Sequence, residues 1–463
     1  MKLKRFLINS ALLTAASVIT QALCMIFRIY MSNTIGAEAI GLYQLIVTVY
    51  VFAVTAVTSG ITLLVTRLVT EATALGNLDK VKSIVKKCTS VALVTSLLVA
   101  SVLYFGSDFF ADRVLKQSVA DISLRALAPS LPFIAISACA RGYFFAMRQA
   151  VVTAGEQLIE QIIEMAVFSI LVGAMAPKGI EYACCAVAIG ATLSEVLTAV
   201  YSMVMYLIST KKLPKSSKSF VVGKHLIFIA LPVSLSACLR SGLSVIEHST
   251  IPTGLIKYGY DKHTALEDYG MVTGMVMPLL AFPSVVMFSV ASMIIPELSE
   301  VYARSDHKQI QRIASNMVKL VLLFSIPIAV VFSFFGNELG VLIYKNETVG
   351  KYICVFSLLV PVIYMDSIVD GMLKGLNEQL HYLTYNIADS FIRVILVILL
   401  IPKYGIVGFV IVMYTGAVFN TGLSLLRLIK VADIKIKVLS WVLAPLGITV
   451  ILCMIVKLAM NYI

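Results

Sequence analysis

Three glutamates recur at four-residue spacing, Glu156, Glu160 and Glu164, in the stretch GEQLIEQIIEM (155–165). Residues four apart share one face of an α-helix, so the spacing predicts a row of carboxylates along one side of an apolar helix. At the start of this helix, Glu156 is predicted to be an interfacial carboxylate in contact with water. Glu160 and Glu164 lie about 6 and 12 Å further along the axis, where they predict a polar cavity or an interhelical ion pair.

Other ionisable residues interrupt apolar segments, and charge at that depth usually faces a protein interior or a water-filled cavity. The residues that we assign to a substrate-binding cavity are Arg28, Glu160, Glu164, Glu195, Arg240, Glu247 and Arg393. The residues that we assign to gating or ion coupling are Arg141, Asp366, Asp370 and Asp389. Because arginine binds phosphate oxygens through a two-pronged fork, arginines among carboxylates favour an anionic headgroup over a simple cation pocket.

Several of these charges also have a purely structural interpretation, which the sequence leaves open. Arg28 lies towards the outer part of the first predicted span, where its guanidinium can snorkel to the headgroups. Asp389 and Arg393 are four residues apart, so a local ion pair is the alternative for them. Asp370 precedes Lys374 by the same spacing, so this group also fits a salt-bridge ladder.

The composition indicates a polytopic membrane protein, with 59% hydrophobic residues, 13% charged residues and a mean hydropathy of +0.95. A spanning helix needs about 20 apolar residues, and strands of a barrel would alternate instead of forming continuous runs. The fold class is therefore predicted to be all-α. The predicted spans are 6–32, 38–68, 87–106, 122–147, 155–176, 181–209, 224–248, 268–296, 313–335, 351–375, 379–401, 404–430 and 437–461.

The net charge is +12, but the positive residues are distributed by side of the membrane and do not cluster in a domain that could bind nucleic acid. We therefore do not expect nucleic acid as a partner. Lys and Arg concentrate in the loops 77–87, 210–218, 304–312 and 427–437, all on one predicted side. Cytoplasmic loops carry the excess of positive residues. We therefore predict a cytoplasmic N-terminus, and, with an odd number of spans, an external C-terminus.

An internal repeat appears when the chain is aligned with itself at the constant shift that places Gly142 on Gly371. At this shift, which we term the repeat offset, Glu160 meets Asp389. Each half would contain an even number of spans, so both halves enter the membrane in the same direction, as in a parallel repeat. The predicted organisation is an N-terminal six-helix lobe (1–209), a basic cytoplasmic linker (210–223), a C-terminal six-helix lobe (224–430) and one additional transmembrane helix (431–463).

The eighth predicted span carries prolines at 278, 283 and 296 together with Gly270 and Gly274. Proline inside a helix removes a backbone hydrogen bond and bends it, which membrane helices tolerate around a cavity. The sequence therefore predicts a bent eighth span that would suit a moving gate.

Enzymatic and metal chemistry find little support in the sequence. The eight cysteines lie mostly in apolar runs, with no CxxC and no histidine at ligand spacing, so we expect no metal site. The longest outer segments, 106–123 and 249–270, are short and lack a catalytic constellation of paired acids or an activated nucleophile, and no GxxxxGK[ST] motif occurs. We therefore expect no catalytic residues, no cofactor and a non-enzymatic function.

Three stretches resemble a known family: FRIYMSNTIGAEAIGLYQL (27–45), RGYFFAMRQAVVTAGEQLIEQIIEM (141–165) and YGMVTGMVMPLLAFPSVVMFSVASMIIPELSE (269–300). They are similar to the polysaccharide-biosynthesis, stage V sporulation protein B-like branch of the multidrug/oligosaccharidyl-lipid/polysaccharide (MOP) flippase superfamily. The resemblance implies a MATE-like pair of six-helix lobes in the bacterial cytoplasmic membrane. It also implies that Arg28 matches one of the first-span arginines that contact the diphosphate in lipid II flippases.

The resemblance implies a flippase that moves a polyprenyl-diphosphate-linked saccharide, such as a cell-wall or polysaccharide precursor, by alternating access. Its partners would be that lipid, the surrounding membrane lipids and a coupling H⁺ or Na⁺. The alternative is a cation-coupled multidrug and toxin extrusion antiporter, although the first span contains no acid. A third hypothesis is a structural scaffold for envelope assembly. It would be favoured if alanine substitutions of Arg28 and Arg240 had no effect on function.

Overall fold

The computed structural model describes residues 2–211, 214, 230–434 and 437–462. Over these residues the chain forms helices and connecting turns without a β-strand, which confirms the predicted all-α class. The predicted linker, 210–223, falls almost entirely outside the described residues. The predicted boundaries of the two lobes therefore stay predictions.

The chain divides into two compact units. Unit 1 comprises Met1–Phe27 and Glu38–Thr250, and unit 2 comprises Arg28–Ala37 and Ile251–Ile463. The helices of the first half, apart from short turns, are α1 (Lys2–Ala74), α2 (Leu78–Phe105), α3 (Asp121–Leu127), α4 (Leu131–Ala146), α5 (Ala150–Met175), α6 (Ile180–Thr210) and α7 (Leu231–Tyr258). The helices of the second half are α8 (Lys262–Gly270), α9 (Met277–Ala281), α10 (Ser284–Ala303), α11 (His307–Tyr344), α12 (Glu347–Phe356), α13 (Val360–Gly375), α14 (Gln379–Ala432) and α15 (Ala444–Tyr462).

Nine stretches of the described chain are long and apolar enough to cross a membrane. Two of them, Val18–Ala74 and Gln379–Ala432, are 57 and 54 residues long, more than twice the length of about 20 residues that one crossing needs. The helices that contain them, α1 and α14, each cover two predicted spans, and each leaves helical geometry at one glycine, Gly36 (φ 82°, ψ 170°) or Gly405 (φ 58°, ψ −134°). A glycine is required there because a Cβ disfavours positive φ.

Two predicted spans are absent from these nine stretches for identifiable reasons. The span 224–248 begins outside the described residues, and α7 starts at Leu231. The span 268–296 is divided into α8, a π-helical turn at Met271–Val276, α9 and α10. The interruption after α9 coincides with Pro283, which agrees with the predicted bend in this segment.

Replacement of Gly405 by alanine is expected to destabilise the protein by about 2 kcal/mol, the cost of a strained backbone conformation for a residue with a Cβ. The new Cβ would also lie 2.8 Å from Cδ1 of Tyr258. The midpoint of thermal unfolding in detergent measures the effect. Gly422→Ala is the matched control in the same helix, since a Cβ there meets nothing within 4 Å, and an equal loss in both variants would contradict the interpretation.

The internal repeat recurs in the bounds of the helices. Equivalent pairs at the repeat offset are the first residues of α2 and α11 (78 and 307), both ends of α4 and α13 (131–146 and 360–375), the first residues of α5 and α14 (150 and 379), and the last residues of α1 and α10 (74 and 303). The packing recurs too. A Cβ on Gly142 would lie 2.8 Å from the Thr62 carbonyl oxygen, and one on Gly371 would lie 3.2 Å from Cβ of Ala291. Both halves thus pack their fourth span closely against their second.

Candidate functional site

A buried ion pair joins α4 and α5 inside unit 1. The Arg141 guanidinium donates a hydrogen bond to Glu156 Oε1 over 3.1 Å. The Glu156 side chain is 0% exposed and that of Arg141 is 24% exposed. The expectation of a solvated, interfacial Glu156 is therefore wrong: α5 begins earlier, at Ala150, and its first turns are covered by neighbouring helices.

Further carboxylates surround this pair. Glu195 of α6 interacts electrostatically with Glu160, Arg141, Glu156 and Glu164, so the predicted row on α5 and the acid on α6 belong to one cluster. No partner for Glu195 was evident from the sequence, because its neighbours come from other helices. Its Oε2 is buried without a hydrogen-bond partner in the part of the chain that the structure describes. One arginine and four carboxylates thus form a cluster within unit 1.

Tyr50 extends the carboxylate cluster towards α1, and sequence patterns did not single it out. Its hydroxyl lies 2.7 Å from Ser130 Oγ, and its phenolic oxygen interacts electrostatically with Glu195 and Glu160. No motif marks a lone tyrosine in an apolar run, so only the packing of α1 against α6 could reveal it. Tyr50 supplies a hydroxyl that can donate or accept a hydrogen bond beside two acids.

Unit 2 contains a second polar cluster around Asp366 of α13. Asp366 Oδ1 accepts hydrogen bonds from Asn420 Nδ2 at 3.1 Å and Thr421 Oγ1 at 3.4 Å. Asp370, Asp389 and Arg393 lie close enough to interact with it electrostatically. The structure therefore brings together the three predicted aspartates with Arg393. Asn420 and Thr421 were missed, because amide and hydroxyl residues are common in membrane helices and carry no charge signal.

The local pairs left open by the sequence are present in unit 2. Arg393 Nε lies 2.9 Å from Asp389 Oδ2, and Lys374 Nζ lies 2.8 Å from Asp370 Oδ2. Gly416 of the same helix leaves space for the guanidinium, since a Cβ there would overlap the Arg393 side chain. Arg393 is thus at least a member of an intrahelical pair, and its assignment to a substrate cavity stays a prediction.

Arg28 and Arg240, which the sequence also assigns to the substrate-binding cavity, differ from Arg141 and Arg393 in their ion pairing. Neither Arg28 in unit 2 nor Arg240 in unit 1 forms an ion pair with an acid of the described chain. Arg28 is half-buried and interacts electrostatically with Tyr344, whereas Arg240 is exposed on α7. Glu247, seven residues after Arg240, is only 8% exposed. These two residues, both assigned to the cavity from the sequence, therefore differ, since Arg240 is exposed and Glu247 is buried.

These contacts define two kinds of basic side chain. Arg141 and Arg393 form ion pairs with acids of the same unit, so few of their N–H donors are available to bind a substrate anion. Arg28 and Arg240 keep their donors available to a phosphate or to water, within the limits of the described residues. The carboxylates outnumber the arginines in both clusters, which suits binding of a proton or a cation there.

The chain matches known proteins over most of its length. The sequence profile of the family described as "Polysaccharide biosynthesis protein" matches residues 6–302. Stage V sporulation protein B of Bacillus subtilis (strain 168) is 26% identical over 449 residues, which cover 95% of this chain and 86% of that protein. Lipid II flippase MurJ of the same organism is 21% identical over 462 residues, covering 94% of this chain and 82% of that protein.

The fold is also similar to a solved structure. Lipid II flippase MurJ in an inward closed conformation superimposes with a TM-score of 0.74 at 14% sequence identity, covering 97% of this chain and 93% of that one. At this identity the likeness concerns the fold. It agrees with the predicted arrangement of repeated helical bundles in a multi-pass membrane protein.

Proposed function

This chain belongs to the polysaccharide biosynthesis protein family, and from that premise we propose that it is a membrane flippase for a lipid-linked saccharide precursor. Alternating access would carry the polar headgroup across the bilayer while the lipid tail stays in the hydrocarbon. The relatives named as a lipid II flippase and as a sporulation protein support this class of substrate and a role in the cell envelope.

The observation that carries the proposal is the unpaired state of Arg28 among the described residues. An arginine at membrane depth is costly, and the cost falls when its guanidinium meets an anion or water. A diphosphate offers oxygens that match the guanidinium fork. We propose Arg28 as a contact for the diphosphate of the substrate, and Arg240 remains a proposed substrate-binding residue. Glu160, Glu164, Glu195 and Glu247, with Arg393, remain proposed lining residues.

The proposed setting is the bacterial cytoplasmic membrane with the N-terminus in the cytoplasm. The basic loops support this orientation through the excess of positive residues on the cytoplasmic side. The proposed partners are the lipid-linked saccharide and bulk membrane lipids, and the proposed action is transport without a covalent step.

A reconstituted assay tests the proposal. Liposomes carry a fluorescent undecaprenyl-diphosphate-saccharide, and the fraction of headgroup that a membrane-impermeant quencher reaches is followed over time. Arg28→Ala and Arg240→Ala are each expected to slow protein-dependent movement by about ten- to a hundredfold, the effect of losing a hydrogen bond to a charged group. Arg28→Lys keeps the charge and should fall between, because lysine lacks the fork.

Arg304→Ala is the matched control for this assay. Arg304 is exposed, directly follows α10 and pairs with Glu300 of that helix, so its loss should leave movement unchanged. Equal rates for the wild type, Arg28→Ala and Arg240→Ala would contradict the assignment of the diphosphate contact. Absence of any protein-dependent lipid movement would contradict the flippase itself.

A coupling ion is a second element of the proposal, supported by the excess of carboxylates around Arg141. Glu160 and Glu195 are the proposed acceptors of H⁺ or Na⁺, with Arg141, Asp366, Asp370 and Asp389 as the proposed gating or coupling set. The same liposomes can carry a proton or sodium gradient. If that gradient drives an organic cation and no lipid moves, the drug-antiporter alternative is correct and the carboxylate cluster of unit 1 is its site.

A further inference from the structure

The fourth span of each half is interrupted at the same repeat position. In unit 1 a 3₁₀ turn at Ala128–Ser130 separates α3 from α4, and in unit 2 a 3₁₀ turn at Ser357–Leu359 separates α12 from α13. The two turns are equivalent at the repeat offset. A 3₁₀ stretch inside a helix often marks a hinge, and its recurrence at one offset makes an accident of local sequence a poor explanation.

Prolines explain both interruptions, and in unit 1 a further proline, Pro129, lies within the turn itself. Pro132 and Pro361 occupy the second residue of α4 and α13, and they too are equivalent at the repeat offset. Proline has no backbone N–H, so the carbonyl oxygens four residues earlier, at Ala128 and Ser357, cannot receive the regular helical hydrogen bond. These carbonyl oxygens accept instead from the N–H groups of Leu131 and Val360, three residues on, so the regular helical pattern of the fourth span changes to 3₁₀ at the same point in both units.

Carbonyl groups just before each turn are held by hydroxyls from another helix. Thr192 Oγ1 of α6 donates to the Ala126 carbonyl oxygen over 2.7 Å, and the Tyr414 hydroxyl of α14 donates to the Val355 carbonyl oxygen over 2.5 Å. Ala126 and Val355 are equivalent at the repeat offset. We term these two contacts the hydroxyl clasps.

The hydroxyl clasps are not simply copies of one ancestral residue. The repeat equivalent of Thr192 is Thr421, which instead contacts Asp366. A tyrosine seven residues earlier on α14 contacts the Val355 carbonyl. Two different side chains therefore reach the same carbonyl position, which indicates that holding this carbonyl matters in both units.

We propose that the paired 3₁₀ turns are hinges, and that the hydroxyl clasps hold each hinge closed. Opening would release one side-chain hydrogen bond and would leave the backbone ladders of α4 and α13 intact. These helices carry Arg141 and Asp366, so α3 and α12 can pivot without breaking the charged clusters. The inference concerns motion within each unit and does not depend on the identity of the transported molecule.

Hydrogen exchange of the full-length protein in detergent, followed by mass spectrometry of peptides, tests the hinges. Thr192→Val keeps the side-chain shape and removes the clasp. We expect exchange in 121–131 to rise by about two- to tenfold, the equilibrium change for one neutral hydrogen bond. Tyr414→Phe should do the same in 347–359. Pro361→Ala restores the missing N–H at the unit 2 turn, where no second proline lies, so it should slow exchange in 347–359.

Matched controls separate the clasp from loss of any hydroxyl. Thr198 is buried on the same helix as Thr192 and its hydroxyl has no partner within the described residues, so Thr198→Val should leave 121–131 unchanged. Tyr404→Phe, at an exposed position of α14, is the matched control for Tyr414→Phe. The proposal is overturned if Thr192→Val and Tyr414→Phe match their controls, or if Pro361→Ala fails to slow exchange. Neither result bears on lipid transport, so the flippase proposal stands or falls separately.

Discussion

Arg141→Met is expected to cost about 3–5 kcal/mol of folding free energy, the loss typical when one partner of a buried ion pair is removed. The change leaves the fully buried Glu156 without its cation. It also removes the arginine that faces Glu160 and Glu195. Unfolding can be followed with a thiol-reactive dye, because five of the eight cysteines are buried and become reactive only when the protein opens.

Removal of the acid should cost less than removal of the base. After Glu156→Gln, Arg141 still faces Glu160 and Glu195, and its partly exposed side chain can reach water. The unfolding midpoint of Glu156→Gln should therefore lie between those of the wild type and Arg141→Met. A larger loss in Glu156→Gln than in Arg141→Met would show that the other carboxylates do not interact with Arg141.

Gly340→Ala is expected to cost about 3 kcal/mol, the upper part of the usual range for overpacking. Gly340 of α11 faces Gly350 of α12 across a tight turn, and a Cβ would overlap the backbone nitrogen and Cα of Gly350. Main-chain atoms cannot rotate away as a flexible side chain can. Asn346 fixes the turn, since its Oδ1 accepts from the N–H groups of Thr348 and Val349.

Gly447→Ala is the control for this steric effect. A Cβ at Gly447 meets nothing within 4 Å, and alanine has the higher helix propensity, so the unfolding midpoint should stay level or rise slightly. Similar midpoints for Gly340→Ala and Gly447→Ala would mean that α11 and α12 can separate at little cost.

The sequence predicted the fold class, the internal repeat and the pairs within one helix better than the contacts between helices. Long apolar runs are what a bilayer requires of a spanning helix, so the all-α class could be predicted from them. Alignment of the chain with itself revealed the internal repeat. Pro283 marked a break because proline lacks the backbone N–H that a regular helix needs. The burial of Glu156 was not accessible, because distance along one helix does not say which other helices cover it. The partners Asn420 and Thr421 were hidden for the same reason: they come from a helix far along the chain from Asp366.

Charge pairing shows a similar limit. The four-residue spacing of Asp389 and Arg393 predicted their contact because both lie on one helix. The Arg141–Glu156 pair spans two helices, and the loop between them decides whether the side chains meet. Whether Arg28 and Arg240 contact a diphosphate depends on a ligand and on the arrangement of whole units, so their role remains a prediction.

The continuity of α1 through Gly36 has a consequence for biosynthesis. Because its two predicted crossings are joined by one glycine break and not by a loop, we expect them to enter the membrane together. Arg28 alone adds about 2.5–3.5 kcal/mol to the cost of inserting its segment. Leucine, isoleucine, phenylalanine and valine each return about 0.3–0.6 kcal/mol, and the stretch after Gly36 is rich in them. Co-insertion of the second crossing therefore helps the ribosome-bound chain place this arginine in the bilayer.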